Sequence, residues 1–292
     1  MRPFVKWAGG KGQLLNELRK KYPKELGRSI RKYAEPFVGG GAVLFDILNN
    51  YALDQVYISD INAELINTYK VLKGEPDKLI KLLYQFQSEF IPLSLDERKK
   101  YYYEKRDIFN KLNKQKSNQV ELAAIFIFLN RTCFNGLYRV NSKGEFNVPM
   151  GSYKNPLICD SKNLLKVSRG LKNVQIVCAD YLESDSFIDE NTFVYFDPPY
   201  RPLNASSSFT AYTKDSFSDE DQAELATFIT RLSARGSYIL ASNSDPKNVN
   251  PEDDFFEELY SKLAIKRVSA TRIINSDASL RGKINELLIS SH

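Results

Sequence analysis

The sequence predicts an α/β fold, a parallel sheet interrupted midway by a large and mainly helical insert. Two observations carry this expectation. Short apolar runs recur that end on an acid or a polar residue, with glycine-rich turns leading from them into helical patterns. Residues 62 to about 173 break that alternation with a Tyr- and Lys-rich stretch of helical periodicity.

From the amino end, Gly9-Gly10-Lys11-Gly12 precedes Leu14, Leu15, Leu18 and Tyr22, which share one helical face until Pro23 stops it. Residues 33 to 48 (YAEPFVGGGAVLFDIL) read as a short strand, a turn at Gly39, Gly40 and Gly41, and a helix. Residues 55 to 62 (QVYISDIN) read as a second strand ending on Asp60, nineteen residues after Gly41. Such a spacing suits a dinucleotide-like ligand, because glycines let the backbone approach it and an acid at the next strand tip accepts from ribose hydroxyls. A plain tight turn gives the same pattern. Further strands are expected within 174 to 181 (VQIVCADY), 192 to 200 (TFVYFDPPY) and 237 to 243 (SYILASN). Open parallel sheets bind ligands at their carboxyl tips, so Asp60, Asp180 and Asp197 are expected along one crevice. Within residues 134 to 156, two β-prone runs flank Asn141-Ser142-Lys143-Gly144, which suggests a hairpin. The expected domains are thus a ligand-binding core, 1–61 with 174–292, and an insert, 62–173.

Composition removes several chemistries. The amino end has no apolar signal-like segment, and no run of about eighteen apolar residues occurs, so neither secretion nor membrane spanning is expected and the cytoplasm is the expected compartment. Cys133, Cys159 and Cys178 are odd in number and too widely spaced for a Cys-x-x-Cys pair; they read as small buried residues, with no disulfide framework and no metal. The one histidine, His292, is the last residue, where chain ends fray, which sets aside Ser/His and Cys/His nucleophilic devices. The formal charge is +5, yet residues 98–116 hold eight Lys or Arg against Glu104 and Asp107. That excess fits a phosphate-bearing partner, and it fits a solvated helix face as well.

Residues 192 to 202 (TFVYFDPPYRP) run from an apolar strand into an acid and two prolines. Proline holds φ at about −65° and has no N–H, so Pro198 and Pro199 offer carbonyl oxygens on a stiff path and no donors. The stretch is built to accept hydrogen bonds.

The motifs resemble those of a known family. FVKWAGGK near the start, EPFVGGG at 35 to 41, SDIN at 59 to 62, FNGLYR at 134 to 139, GEFNVP at 144 to 149, DPPY at 197 to 200 and SSSFTAY at 206 to 212 occur in the order found in Dam-type adenine-specific DNA methyltransferases, which use S-adenosylmethionine. The resemblance covers nearly the whole chain. It implies a Rossmann-like methyltransferase sheet with a largely helical inserted DNA-recognition domain carrying a β-hairpin. It also implies a catalytic turn at Asp197, Pro198, Pro199 and Tyr200. An adenine amine is a poor nucleophile because its lone pair is delocalised into the ring, and two acceptors can pull the nitrogen toward tetrahedral geometry. By resemblance, these are the Asp197 carboxylate and the Pro198 carbonyl, with Tyr200 stacking on the extruded base. Trp7, Ala8 and Lys11 resemble cofactor contacts, Phe37, Gly39 and Gly41 line the methionine side, Asp60 takes the ribose, Asp180 and Tyr181 sit where the adenine of the cofactor is held, and Asp197 also borders the cofactor.

The resemblance extends to DNA. Arg139 matches a guanine-reading arginine on a hairpin that enters the major groove, Leu137 and Pro149 match contacts to a thymine methyl, and Lys6 with Tyr153 match contacts at the first guanine. Phe134 and Asn135 fall beside the position a flipped base vacates. The stretch around Arg98, Lys99 and Arg106 is expected to position phosphates. GATC in double-stranded DNA is the implied site, the enzyme is expected to be a monomer, and a restriction endonuclease is one functional partner the family allows, beside strand marking and phage self-protection. Residues 206 to 217 are expected to form a mobile loop; residues 246 to 254 have no assigned role. Cytosine C5 methylation is disfavoured because no cysteine follows a proline, and cytosine N4 methylation because Asp, not Ser, precedes Pro198. Cytosine N4 methylation, whose acceptor geometry is similar, an RNA adenine methyltransferase and a non-catalytic DNA-binding module remain as alternatives.

Overall fold

The computed structural model describes residues 1–202, 217–271 and 283–292. A 3-10 turn at Lys11–Gln13 leads into α1 (Leu15–Arg19), β1 (Lys32–Glu35), α2 (Ala42–Asn50), β2 (Gln55–Asp60) and α3 (Ala63–Gly74). Four helices follow: α4 (Pro76–Phe90), α5 (Leu95–Gln115), α6 (Gln119–Thr132) and α7 (Ser161–Gly170). The chain then returns to alternation with β3 (Val174–Cys178), β4 (Thr192–Phe196), α8 (Asp219–Ala234), β5 (Tyr238–Ser244), α9 (Phe255–Leu259), β6 (Ala264–Thr271) and β7 (Lys283–Ser290).

The strands form a seven-stranded sheet in the order β3-β2-β1-β4-β5-β7-β6. β1 runs parallel to β2 and β4, and β4 parallel to β5, as strand-helix alternation demands. β7 is antiparallel to β5 and β6, a pair the sequence pattern did not announce. β4 (TFVYF) is buried at all five positions, the signature of a parallel strand covered on both faces. This fold is the expected α/β, Rossmann-like one.

The chain divides into two compact units. The first comprises Met1–Gly10, Gly39–Asn49 and Asp60–Cys178. Its centre is α6, which is apolar all round, is buried at every position from Leu122 to Asn130, and packs on α3, α4 and α5. α5 opens with a Ser94–Glu97 capping box and buries Tyr102 and Phe109, with Lys99, Lys100, Lys111 and Lys114 exposed and Arg98, Lys105 and Arg106 half-buried. Tyr102 Oη donates to the Val148 carbonyl at 2.8 Å, and Asn110 brackets Phe146, accepting from its amide at 2.8 Å and donating to its carbonyl at 3.1 Å. These bonds fasten the hairpin region to α5. The hairpin itself is two isolated antiparallel bridges, Cys133 with Met150 and Val140 with Phe146, closed at Asn141–Gly144 by the Gly144 amide on the Asn141 carbonyl at 2.9 Å.

The second unit comprises Lys11–Val38, Asn50–Ser59 and Ala179–His292. α1 is shorter than its apolar face suggests: its N-cap is Leu14, which has no oxygen to cap with, and only Leu14, Leu18 and Tyr22 of that face are fully buried. Three expectations need correcting. Cys133 and Cys159 are buried, but Cys178 is exposed, because it ends β3 at the sheet edge. His292 is docked, its Nε2 2.8 Å from the Lys21 carbonyl and its ring edge-on to Tyr238. Residues 246–254 have a structural role: a 3-10 turn at Pro246–Asn248 leads to Asp253, which holds Arg201. The expected mobile loop at 206 to 217 lies, up to residue 216, outside the described residues. Among the described residues no helix is long and apolar enough to cross a membrane, and no cluster of three or more His, Cys, Asp or Glu could hold a metal ion.

Candidate active site

In the second unit, β4 ends one residue before Asp197, so the buried strand fixes where the carboxylate emerges. Lys11 Nζ lies 2.8 Å from Asp197 Oδ1, and Ser242 Oγ donates to the same oxygen at 3.0 Å. Ser242 also shares a 2.9 Å hydrogen bond with Tyr195 Oη. Burial pushes the Asp197 carboxyl above its ordinary value, and Lys11 and then Ser242 oppose that rise.

The rest of the turn is clamped. Gln222, fully buried on α8, donates to the Pro199 carbonyl at 3.0 Å and accepts from Asn243 Nδ2 at 3.0 Å. Asn243 Oδ1 in turn accepts from the Arg201 amide at 3.2 Å, and Ser244 Oγ donates to the Arg201 carbonyl at 2.9 Å. The Arg201 guanidinium grips both oxygens of Asp219, at 2.7 and 2.9 Å, and reaches Asp253 at 2.8 Å. Tyr200 Oη donates to Glu286 at 2.7 Å while Lys11 Nζ stands 4.6 Å over its ring. Among the described residues no donor reaches the Pro198 carbonyl. Among the described residues, the turn therefore presents one uncommitted carbonyl beside a carboxylate whose side-chain partners lie on Oδ1.

Phe37 and Tyr181, in the same unit, stack at 5.4 Å between centroids, and Asp180 caps the turn that carries Tyr181 by accepting from the Leu182 amide at 2.9 Å. The other residues assigned to a cofactor lie in the first unit. Asp60 accepts from the Gly39 amide at 3.0 Å and the Asn62 amide at 2.9 Å. Gly39 and Gly41 have φ of +47° and +72°. A side chain at Gly39 would meet the Trp7 ring at 2.9 Å, and one at Gly41 would meet Tyr69 Oη at 2.5 Å. Ala8 lies in the turn that the Gly10 amide closes on the Trp7 carbonyl at 3.2 Å, and the Trp7 ring stacks on Tyr138 at 5.9 Å.

The residues assigned to DNA are all in the first unit. Lys6 Nζ lies 3.8 Å over the Tyr153 ring, so the structure brings that expected pair together. Asn130, buried on α6, explains why Lys6 is where it is: it accepts from the Lys6 amide at 2.7 Å and donates to the Lys6 and Gly136 carbonyls at 2.8 and 3.1 Å. Arg139 is exposed, with Nε donating to Asn147 Oδ1 at 2.8 Å. Phe134 is 52% exposed, its amide on the Pro149 carbonyl at 2.9 Å, and Asn135 has a left-handed φ of +54°. Leu137 is half-buried and Pro149 exposed. Arg98 is engaged by protein, donating to the Lys154 carbonyl at 2.7 Å and to the Ile91 carbonyl. With Tyr153 it lines a cavity of about 420 Å³ beside α4 and α5.

The D12 class of N6 adenine-specific DNA methyltransferases matches residues 7–274. The chain belongs to this family. It is an enzyme, an N6 adenine-specific DNA methyltransferase; its substrate is DNA and its reaction requires a methyl donor. It is 52% identical over 294 residues to a Type II methyltransferase, M.MjaIII, of Methanocaldococcus jannaschii, spanning 100% of this chain and 99% of the relative. It is 38% identical to the Type II methyltransferase M1.LlaDCHI of Lactococcus lactis subsp. cremoris, spanning 100% and 96%. It is 35% identical over 287 residues to the DNA adenine methylase of Escherichia coli K12, spanning 98% and 94%.

Sequence reasoning missed the supports of this enzyme's site: Gln222, Ser242, Asn243, Glu286 and Arg201 around the turn, and Asn130 and Asn147 beneath Lys6 and Arg139. The one legible hint was a strand, residues 237–243, ending in Ser and Asn where apolar residues were due. Replacing Gly41 by Ala is expected to cost about 1–3 kcal/mol of stability, through left-handed strain and the contact with Tyr69. Denaturant unfolding of the variant measures it, and an unchanged midpoint would contradict the packing described.

Proposed function

We propose that this enzyme transfers the methyl group of S-adenosylmethionine to the N6 amino group of an adenine flipped out of double-stranded DNA, within GATC. The observation that carries this reading is the pair of acceptors at one turn: the Pro198 carbonyl, with no donor on it among the described residues, beside Asp197, whose Lys11 and Ser242 contacts both fall on Oδ1. Asp197 Oδ2 and the Pro198 oxygen each accept one amino hydrogen, which draws the nitrogen lone pair out of conjugation and aims it away from the turn. The Pro199 carbonyl already accepts from Gln222, which leaves Pro198 as the carbonyl of the turn with its full accepting capacity among the described residues. Tyr200, anchored through its hydroxyl to Glu286, offers its ring to the flipped base. As the new N–C bond forms, the nitrogen must shed one proton, and the Asp197 carboxylate is the nearest acceptor. When bound, the donor supplies an electrophilic methyl on a sulfonium whose sulfur keeps the bonding electron pair and leaves as a neutral thioether.

The chain's residues fit such a donor. Gly39 and Gly41 leave a bare backbone turn, the Asp60 carboxylate at the tip of β2 has lone pairs beyond the two used by amides, and the Phe37–Tyr181 stack with Asp180 offers a flat apolar wall beside an acceptor. Trp7, Ala8 and Lys11 complete the proposed set.

For DNA, Arg139 is proposed to read a guanine edge, steadied by Asn147, with Lys6 and Tyr153 at the first guanine and Leu137 and Pro149 at a thymine methyl. Phe134 and Asn135 fill the place the adenine leaves, which offsets the cost of about a few kcal/mol for extruding a base. Arg98 and its basic neighbours on α5 follow the phosphates. A matching restriction endonuclease is the proposed functional partner, since relatives named Type II methyltransferases include the one at 52% identity. The enzyme is proposed to act as a monomer, because one chain supplies both acceptors and the clamp on them; sedimentation under assay conditions should return the mass of a single chain, and a dimer would refute this.

Asp197→Ala is expected to lower single-turnover methylation by more than about a hundredfold while duplex binding is kept; a rate within tenfold of the unmodified enzyme would remove the acceptor role. Arg139→Ala is expected to relax site choice by about 1–3 kcal/mol, read by sequencing methylated positions in a mixed duplex pool. In that pool the unmodified enzyme is expected to methylate GATC; methylation at another sequence would overturn the proposed site.

A further inference from the structure

The cofactor-contact reading of Lys11 does not account for where its ammonium lies. The side chain is only 5% exposed, its Nζ is 2.8 Å from Asp197 Oδ1, and it stands over the face of Tyr200. The Asp197 side chain keeps 21% of its surface exposed, and a carboxylate that has lost most of its water is unfavourable unless paired and hydrogen-bonded. A protonated Asp197 would present a donor to an amine, the wrong polarity for an acceptor site.

We infer that Lys11 is a positioning residue for methyl transfer: its ammonium holds the Asp197 carboxylate ionised and fixes Oδ1, so that Oδ2 is the oxygen offered to the target amine. This rests on the acceptor role proposed for Asp197. The other groups around the carboxylate work against ionisation or are neutral. Tyr195, on β4, and Tyr200 are phenols that burial keeps protonated. Glu286 on β7 is an anion on the far side of the Tyr200 hydroxyl, and Glu35 on β1 adds negative charge near Tyr195, hydrogen-bonded to the Tyr33 hydroxyl at 2.6 Å. Tyr22, another phenol, lies near Tyr195. Ser242, on β5, contributes a hydrogen bond and no charge. Lys11 is thus the cation that faces Asp197 among the described residues.

An opposite charge this close lowers a carboxyl pKa by about one to three units, and removing it reverses the sign. Because the working form is the carboxylate, the acid limb of the rate profile should then move to higher pH. The test is single-turnover methylation of one duplex at saturating donor, from about pH 5 to pH 10, with K11M, K11R and the unmodified enzyme. K11M is expected to lose rate on the acid side, to regain it as pH rises, and to show its acid limb about one to three pH units higher; K11R should keep the limb where it was. The carboxyl carbon-13 resonance of Asp197, assigned by its loss in Asp197→Asn, checks the unmodified enzyme without any Lys11 variant: it should report an ionised group at pH 7. A protonated Asp197 at pH 7 overturns the inference. So does a K11M limb that stays put while donor affinity falls, which would leave Lys11 as a donor contact alone. Were Asp197→Ala still active, the proposed function would fail first; an inactive Asp197→Ala beside an unmoved K11M limb sinks only the role of Lys11.

Discussion

A carboxylate at the end of a fully buried strand is the constraint around which the rest of the site is arranged. Asp197 follows the five buried residues of β4, and such a group stays charged only if partners replace the water it has lost. Lys11 and Ser242 do this on one oxygen. Two prolines then remove donors from the turn, and Gln222 takes the second proline carbonyl. What is left without a donor, among the described residues, is the Pro198 carbonyl beside Asp197, on a backbone with little freedom to relax. Rigidity suits the proposed reaction, in which the acceptors reshape a poorly nucleophilic amine, work that a mobile loop would do badly.

The clamp is built from groups that meet only in the folded chain. Arg201 is bound through its amide, carbonyl and guanidinium to Asn243, Ser244, Asp219 and Asp253, so the residue that ends the turn is held from several sides. The proposed readers of DNA show the opposite design. Arg139 and Phe134 are exposed, and their backbones are fastened to a hairpin that is itself hung on α5 by Tyr102 and Asn110. A fixed floor with exposed tips suits residues that must meet a surface from outside.

Much of this was legible in the chain before folding. The four parallel strands β1, β2, β4 and β5 fell where apolar runs met acids or polar residues, and the two prolines marked a turn without donors through the chemistry of proline alone. β7 escaped because Leu287, Leu288 and Ile289 are buried in succession, and a short apolar run of this kind has no period to mark it as a strand. Gln222 escaped for a different reason: it sits in an acidic, capped helix start that reads as solvent-facing, and only tertiary packing makes it a buried donor. Lys11 was visible, but its partner was not, because pairing across such a sequence separation leaves no local trace. Cys178 and His292 were misjudged by rules about averages, one lying on a sheet edge and the other on a docked terminus.

The geometry of the target amine tests the central claim most directly. In a crystal of the enzyme with duplex DNA and an unreactive analogue of the donor, the extruded adenine should place its amino nitrogen within hydrogen-bond reach, about 2.7–3.2 Å, of both Asp197 Oδ2 and the Pro198 oxygen. An amine that instead meets Asp197 Oδ1 after Lys11 has left it, or that lies out of reach of Pro198, would contradict this account of how the turn works.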